Sequence, residues 1–487
     1  MASTSQQSSA TGLSDEQINR SCRAAVGILL IGAATWAVIG LLLGLLSSIK
    51  MHVPGLWDLC PWVSYGRVRP AFFTAIIFGF LSQIGLASVL WMIARLGRVL
   101  LAMPALAVGG AVLWNVAVLV GVLQIMGGMS TGFPLMEMPR HAASLLLGGY
   151  TLVALSAFVT HRARVERNLY ISHWFLISAL FAFPWLMSVG YMLAVVEPLR
   201  GVMQSVAGAY FANGVLHLWI AALALGAAYY LLPKCAGVPT HSRQTAAFGF
   251  WALVICANWS ATSQLIGGPL PRWIISAGIS AKWLLLLSAA AYAANYLQTT
   301  HKAKSGTQRE PAHAFVFFGS LCYCIWTLLE ILGTLPSVSP RLTFTLYHQG
   351  LLHLALFGFA GMILSGAAYH ISSQVFDASI VKGGFIRGHF FLGVFGAGLI
   401  AFAYVLGGYA QGATYNDPAV PMTDAVRGVV KFIGMASLGY LLLLLSQLFF
   451  LTALVRGVLG ATAQERAAFC AWCCGVPDAG NKSRAQA

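Results

Sequence analysis

The sequence predicts an all-α integral membrane protein with about twelve transmembrane helices. Hydrophobic residues make up 59% of its 487 positions and charged residues only 8%, and the mean hydropathy is +0.78. The apolar residues fall into runs of about 20, which is the length an α-helix needs to cross the hydrocarbon core. A soluble globular domain carries about 25% charged residues, so this composition excludes that class of protein.

Twelve apolar runs are long enough to span a bilayer. They cover residues 24–48, 71–94, 99–127, 144–160, 171–197, 207–232, 246–267, 272–296, 314–336, 343–370, 389–410 and 428–455, and the fourth is the shortest. No segment between two runs has the length of a separate soluble domain. We therefore expect a polar cytoplasmic tail at 1–23, one membrane domain at 24–456 and a second cytoplasmic tail at 457–487.

Basic residues concentrate on one side of this membrane domain. With the N-terminus inside, 18 of the 28 lysines and arginines lie in inside loops and tails, nine lie outside, and Lys282 lies within a span. Loops rich in Lys and Arg stay on the cytoplasmic side, which predicts that both termini are inside. The same rule explains the net charge of +15 without a nucleic-acid partner, so the expected surroundings are the lipid bilayer.

The tenth run carries the side chains that first suggest a functional site. His348, His353 and His370 lie within the apolar segment 343–370. Ionisable groups at hydrocarbon depth are costly and often mark functional sites, and histidine is a common axial ligand of haem. His353 is therefore a candidate haem ligand. Hydrogen bonding of these histidines to neighbouring helices is the alternative, and their spacing does not separate the two.

Three further polar side chains interrupt other apolar runs. His217, in the sixth run, is expected at the depth of His353, roughly 15 Å from the outer end at 1.5 Å per residue. Facing histidines could ligate one haem, or His217 could instead bond to a backbone carbonyl. Glu330 in the ninth run is a candidate proton-path residue or ion-pair partner, and Lys282 in the eighth is a candidate structural pair or snorkelling side chain.

Five sets of residues, taken in order and spacing, carry a family resemblance. They are YGRVRP at 65–70, RNLYISHWF at 167–175, YYLLPK at 229–234, Trp251 and Trp259 with PRW at 271–273, and HFFL at 389–392 with GGYAQG at 407–412. Together they resemble the haem-copper oxidase superfamily, and most of all the catalytic subunit of its C family, the cbb3-type cytochrome c oxidases. The resemblance covers nearly the whole chain and implies an oxidase-type helix bundle in a bacterial inner (plasma) membrane.

The resemblance also implies a metal site that this chain does not complete. The family holds two haems and one copper ion with six histidines. At the positions of the two low-spin haem ligands this chain has Phe72 and His353, and at the high-spin ligand position it has Leu351. At the three copper-ligand positions it has Asn213 or its neighbour Ala212, Ser263 and Gln264. Copper sites of this kind need imidazole ligands in a defined geometry. The resemblance therefore implies no copper and at most one b-type haem, held by His353 with His217 as the alternative ligand.

Three function classes remain open from the sequence. The first is a degenerate homologue of the cbb3-type subunit I in a respiratory or electron-transfer complex, with a membrane-anchored c-type cytochrome as partner and no oxidase activity of its own. The second is an active terminal oxidase or nitric oxide reductase subunit. The third is a small-molecule or metal-handling membrane protein that keeps the scaffold. A visible spectrum combined with metal analysis separates these classes.

The basic bias predicts the location of the C-terminus. We expect a green fluorescent protein fused after Ala487 to fluoresce and an alkaline phosphatase fused there to be inactive, because the positive loops hold both termini inside. Fusions after Trp57, in a predicted outside loop, give the reverse pattern as a control. Active phosphatase at Ala487 would show the opposite orientation.

Overall fold

The structure, a computed structural model, describes residues 13–196, 199–303, 311–376 and 383–473, with side-chain positions up to Gly460. All regular secondary structure in these ranges is helical. Within them, twelve helices are long and apolar enough to cross a membrane. The predicted all-α fold with twelve spans is thus confirmed.

The twelve spans follow one another through short connections. They are α1 (Asp15–His52), α2 (Tyr65–Gly97), α3 (Pro104–Met126), α4 (Arg140–Arg162), α5 (Ile171–Val195), α6 (Val202–Ala236), α7 (Arg243–Leu265), α8 (Arg272–His301), α9 (Pro311–Leu332), α10 (Tyr347–Val375), α11 (Gly384–Tyr415) and α12 (Met422–Gly460). The last helix continues without interruption to Cys473. We call the end of the bundle reached by the odd-numbered spans the outer end.

The helix ends differ from the limits of the apolar runs. Helix α1 begins at Asp15, well before residue 24, because Ser14 and Gln17 form a capping box in which each side chain bonds to the other's backbone N–H. Helix α4 has 23 residues and is not the shortest span, since α9 has 22. The tails predicted at 1–23 and 457–487 extend beyond the described residues, so these domain limits stay a prediction.

Three spans form the centre of the bundle. The most apolar stretch is 100% buried in α2 and 94% buried in α6 and α10, against 39–50% in the other nine described spans. Each central helix contains a π-helical segment: Ala75–Leu81, Val215–Ile220 and Leu354–Gly361. Such segments often occur at functional sites. The surrounding spans turn apolar faces outward, as expected where lipid is the solvent.

Helices α3 and α4 approach each other closely through two glycines. A Cβ atom added at Gly149 would lie 2.8 Å from the backbone nitrogen of Trp114 and 3.1 Å from the carbonyl oxygen of Gly110. Small residues at such crossings allow close backbone contact, which drives helix association where the solvent is lipid. This contact fixes the α3–α4 hairpin, whose connection borders the site described below.

The Gly149 contact predicts a stability difference between two adjacent substitutions. We expect Gly149→Ala to destabilise the purified protein by about 1–3 kcal/mol, since the new methyl group meets backbone that cannot yield. At Gly148 the added Cβ finds its nearest neighbour at 3.7 Å, an ordinary contact, so Gly148→Ala is the matched control. Thermal unfolding in detergent measures both, and equal midpoints for the two variants would contradict the close-packing account.

Candidate functional site

A cavity of about 820 Å³ lies at the outer end of the bundle. Its walls come from the first turns of α2 and α10, the α3–α4 connection, α6, the end of α7, and the facing sides of α8 and α9. Charged and titratable side chains in this lining are Arg69, Glu137, Lys282, Glu330 and His348. A concave site of this volume with a few convergent polar groups is the usual form of a ligand pocket.

The strongest electrostatic feature of the cavity is the carboxylate of Glu330. Lys282 Nζ donates to Glu330 Oε1 at 3.3 Å, and His217 Nε2 lies 3.1 Å from Glu330 Oε2. The three side chains are only 4–11% exposed. A buried carboxylate requires such partners, because its desolvation would otherwise prevent ionisation. We call His217, Lys282 and Glu330 the Glu330 triad, and it joins α6, α8 and α9.

The second ring nitrogen of His217 is also engaged. Nδ1 lies 3.2 Å from the carbonyl oxygen of Asn213, which can only accept, so this contact is a hydrogen bond in the form of His217 that carries a hydrogen on Nδ1. The ring stacks on Trp326 with centroids 4.6 Å apart. The backbone-carbonyl contact considered from the sequence is therefore present in the structure, and Glu330 is an additional partner that the sequence did not assign.

The positions that the resemblance aligns with copper ligands form a polar network of their own. Gln264 Nε2 donates to Asn213 Oδ1 at 3.3 Å, and Asn213 Nδ2 donates to the Ala257 carbonyl at 2.7 Å. Ser263 Oγ donates to the Ser260 carbonyl at 2.6 Å. Amide and hydroxyl groups in these contacts do not fit a copper site of three imidazoles. Over the described part of the chain, no group of three or more His, Cys, Asp or Glu side chains could hold a metal ion.

His353 lies in an aromatic cluster rather than beside open space. Its Nδ1 donates to the Gln349 carbonyl at 2.6 Å, so the neutral ring accepts at Nε2 from the Tyr440 hydroxyl. Phe72 stacks on the imidazole with centroids 6.0 Å apart and planes inclined by 16°. Both nitrogens are occupied and one ring face is covered, so a haem does not fit at His353 as these side chains lie. Its assignment as a haem ligand stays a prediction that requires Tyr440 to move.

The candidate histidines occupy separate environments. His217 contacts Trp326 and Glu330, whereas His353 contacts Phe72 and Tyr440. None of the contacts described in the structure joins the two histidines. The packing therefore does not place His217 and His353 opposite each other, as two ligands of one haem would be.

The sequence predicts roles for Lys282 and Glu330 separately, and the ion pair between them is seen only in the structure. Lys282 lies ten residues after the start of α8 at Arg272, while Glu330 lies two residues before the end of α9 at Leu332. Counting along each helix thus assigns the two charges different depths. The signal that could have found the pair was chemical, since opposite charges within consecutive spans are expensive unless they meet.

Glu137 is a second buried carboxyl group of the lining, in the connection between α3 and α4. Its Oε1 accepts from the Leu135 N–H at 3.0 Å, and in the described structure Oε2 has no hydrogen-bond partner. Burial raises the pKa of Glu137 from 4.5 to about 7, against the opposing effects of backbone N–H groups and of the Arg69 charge. This group therefore changes charge near neutral pH at the edge of the cavity.

Comparison with known proteins gives one family over most of the chain. The family model described as Cytochrome C and Quinol oxidase polypeptide I matches residues 24–442. The Cbb3-type cytochrome c oxidase subunit CcoN1 of Stutzerimonas stutzeri is 24% identical over 352 residues, covering 71% of this chain and 74% of that protein. A cytochrome c oxidase subunit 1 homolog of Agrobacterium tumefaciens (strain T37) is 24% identical over 351 residues, covering 70% and 64%.

A solved structure shows the same architecture. A heme-copper terminal oxidase dimer determined by cryo-EM aligns with a TM-score of 0.72 and 14% sequence identity, covering 90% of this chain and 84% of that one. At this identity the likeness shows the fold alone. It confirms the predicted oxidase-type bundle.

The raised pKa of Glu137 predicts a pH dependence of stability. Between pH 4.5 and about 7 the folded state binds more protons at Glu137 than the unfolded state, so stability is lost as pH rises through this window, by up to about 3 kcal/mol. Glu137→Gln keeps the shape of the side chain without its charge, so it should remove the contribution of Glu137 to the pH dependence of stability. Unfolding midpoints from pH 5 to 8 test it, with the partly exposed Glu166→Gln as control. An unchanged slope in Glu137→Gln would contradict the assignment.

Proposed function

This chain belongs to the cytochrome c and quinol oxidase polypeptide I family, and we propose that it is a membrane subunit of a respiratory or electron-transfer complex without an oxygen-reducing haem–copper centre of its own. It is a multi-pass membrane protein with twelve candidate spans in its described residues. Family membership supplies the scaffold, and the chemistry of its site decides the activity.

The donor set around the cavity is the observation that carries this proposal. The copper-aligned residues Asn213, Ser263 and Gln264 hydrogen-bond through amide and hydroxyl groups, and Leu351 in the cavity wall has no atom that binds iron. His217, the nearby imidazole on α6, already bonds to Glu330 and the Asn213 carbonyl. Oxygen reduction at a haem–copper pair needs ligands that these contacts do not offer.

The relatives support a place in a larger complex. Their printed names describe cytochrome c oxidase subunits, one of them cbb3-type. We propose that this chain likewise assembles with a membrane-anchored c-type cytochrome in a bacterial inner membrane, with both termini inside. The degenerate cbb3-type assignment rests on the sequence register of the missing ligands together with these relatives.

A small-molecule-handling protein is the second candidate, and one observation favours it. The cavity of about 820 Å³ places opposite charges, Lys282 and Glu330, beside space large enough for a ligand. An active oxidase or nitric oxide reductase has no comparable support, since it would need new metal ligands in place of the polar network.

The proposed function predicts the metal content and oxygen chemistry of the purified protein. We expect no stoichiometric copper and no cyanide-sensitive oxygen consumption, because the copper-aligned positions carry no imidazole. Mass spectrometry of metals and an oxygen electrode measure both. An intact cbb3-type oxidase purified in the same way is the control, and about one copper per chain would overturn the proposal.

Haem content separates a cofactor-free scaffold from a one-haem relay. Because Tyr440 and Phe72 occupy the surroundings of His353, we expect no low-spin b-type band in the reduced-minus-oxidised spectrum. A b-type band that is lost in His353→Ala and kept in His370→Ala would show that His353 ligates a haem. That result would favour the relay over the scaffold.

A further inference from the structure

The hydrogen bonds of the Glu330 triad fix the number of protons that it holds. When His217 Nδ1 donates to the Asn213 carbonyl, Nε2 of the neutral ring has no hydrogen to donate. Nε2 and Glu330 Oε2 are 3.1 Å apart, and two lone pairs at that distance repel each other unless a proton lies between them. All the contacts of the triad are therefore satisfied only when His217 and Glu330 share one extra proton.

This proton leaves the triad with one net positive charge. The proton-sharing pair of His217 and Glu330 is neutral as a whole, whereas Lys282 remains an ammonium ion. The alternative tautomer, with hydrogen on Nε2 only, makes the triad neutral but turns a lone pair of Nδ1 toward the Asn213 carbonyl at 3.2 Å. The triad by itself can therefore satisfy all its hydrogen bonds only with a net positive charge, and it can be neutral only with one contact unsatisfied.

An anion in the cavity would satisfy both requirements. Lys282 and Glu330 line the cavity, and Lys282 has three N–H donors, of which the described contacts use one for Glu330. Arg69 supplies a second positive charge in the same lining. Buried net charge is unfavourable without a counter-ion, so the charged form of the triad and an occupied cavity stabilise each other.

We propose that this cavity binds a small monovalent oxyanion from the outer end, and that one proton enters the His217–Glu330 contact with each anion. The anion is held by Lys282, and the proton comes from solvent, so the combined step adds no net charge to the membrane interior. The inference rests on the contacts of the triad and goes beyond the proposed subunit role.

Other titratable groups face the triad and define the background of the pH test. Tyr347 and His348 on α10 and Tyr323 on α9 interact electrostatically with Glu330. The two tyrosines carry no charge between pH 6 and 9. His348, and Glu137 in the same cavity lining, could each produce a pH dependence that imitates the one assigned to the triad, so His348→Gln and Glu137→Gln are included as separate variants.

Nitrate is the test probe, because it stays fully ionised over the pH range. We expect nitrate to raise the unfolding temperature of the full chain in detergent at pH 6, by ligand linkage. Because one proton enters with each anion, the half-saturating concentration should rise with pH, by up to about tenfold per pH unit. His217→Gln should remove this pH dependence, and His348→Gln and Glu137→Gln should retain it.

Variants of Lys282 test the anion contact itself. Lys282→Gln should weaken nitrate binding about 10- to 100-fold, the usual loss for a buried charge-assisted hydrogen bond. Arg272→Gln, exposed at the start of the same helix, is the matched control for ionic strength and should bind normally. If Lys282→Gln does not fold, the double variant Lys282→Gln/Glu330→Gln removes both charges together and should show the same loss.

Two results would overturn the inference. One is no stabilisation by nitrate, or equal stabilisation of the wild type and the Lys282 variants. The other is a tenfold pH slope that persists in His217→Gln, which would place the coupled proton elsewhere. About one copper per chain in the purified protein would instead refute the proposed function, so the two failures are distinguishable.

Discussion

A carboxylate enclosed among membrane helices is stable only where hydrogen-bond donors surround it, and the packing around the cavity depends on how Glu330 meets this condition. Its two oxygens are bonded to Lys282 on α8 and His217 on α6. Removing one partner of a buried ion pair typically costs about 3–5 kcal/mol, because the remaining charge has no substitute for water. The triad therefore sets the relative positions of three spans at the point where the cavity opens.

The same scaffold can carry different chemistry when the side chains at its centre differ. Helices α2, α6 and α10 are buried on nearly all sides, and each is interrupted by a π-helical segment. Toward the outer end, His217 of α6 joins an ion network with α8 and α9, and Asn213 of α6 joins an amide network with α7. At His353 they give way to packed aromatic rings. The family fold is retained, and the contacts at its centre favour holding charge over holding metal.

The sequence predicted the spans well and the side-chain partners poorly, for physical reasons. Hydropathy detects the apolar length of a helix, so all twelve spans were found. It does not detect caps, which is why the Ser14 capping box placed the start of α1 earlier than expected. Contacts such as His353 with Tyr440 join residues 87 positions apart, and no local pattern encodes them.

The sequence predicts part of the Glu330 triad. The sequence predicts a costly buried charge at Glu330 and at Lys282, each with an ion pair as one outcome. For His217 it leaves a backbone-carbonyl contact as one of two alternatives. Their convergence could not be inferred, because span rotation and the depth at which α9 ends are set by packing.

The most direct test of this account is a high-resolution cryo-EM map of the purified chain in lipid nanodiscs. It should show the side chains of Lys282 and His217 in contact with Glu330, and density in the cavity no larger than water molecules or a small anion. Planar density of a macrocycle next to Leu351, with a metal beside Gln264, would contradict it.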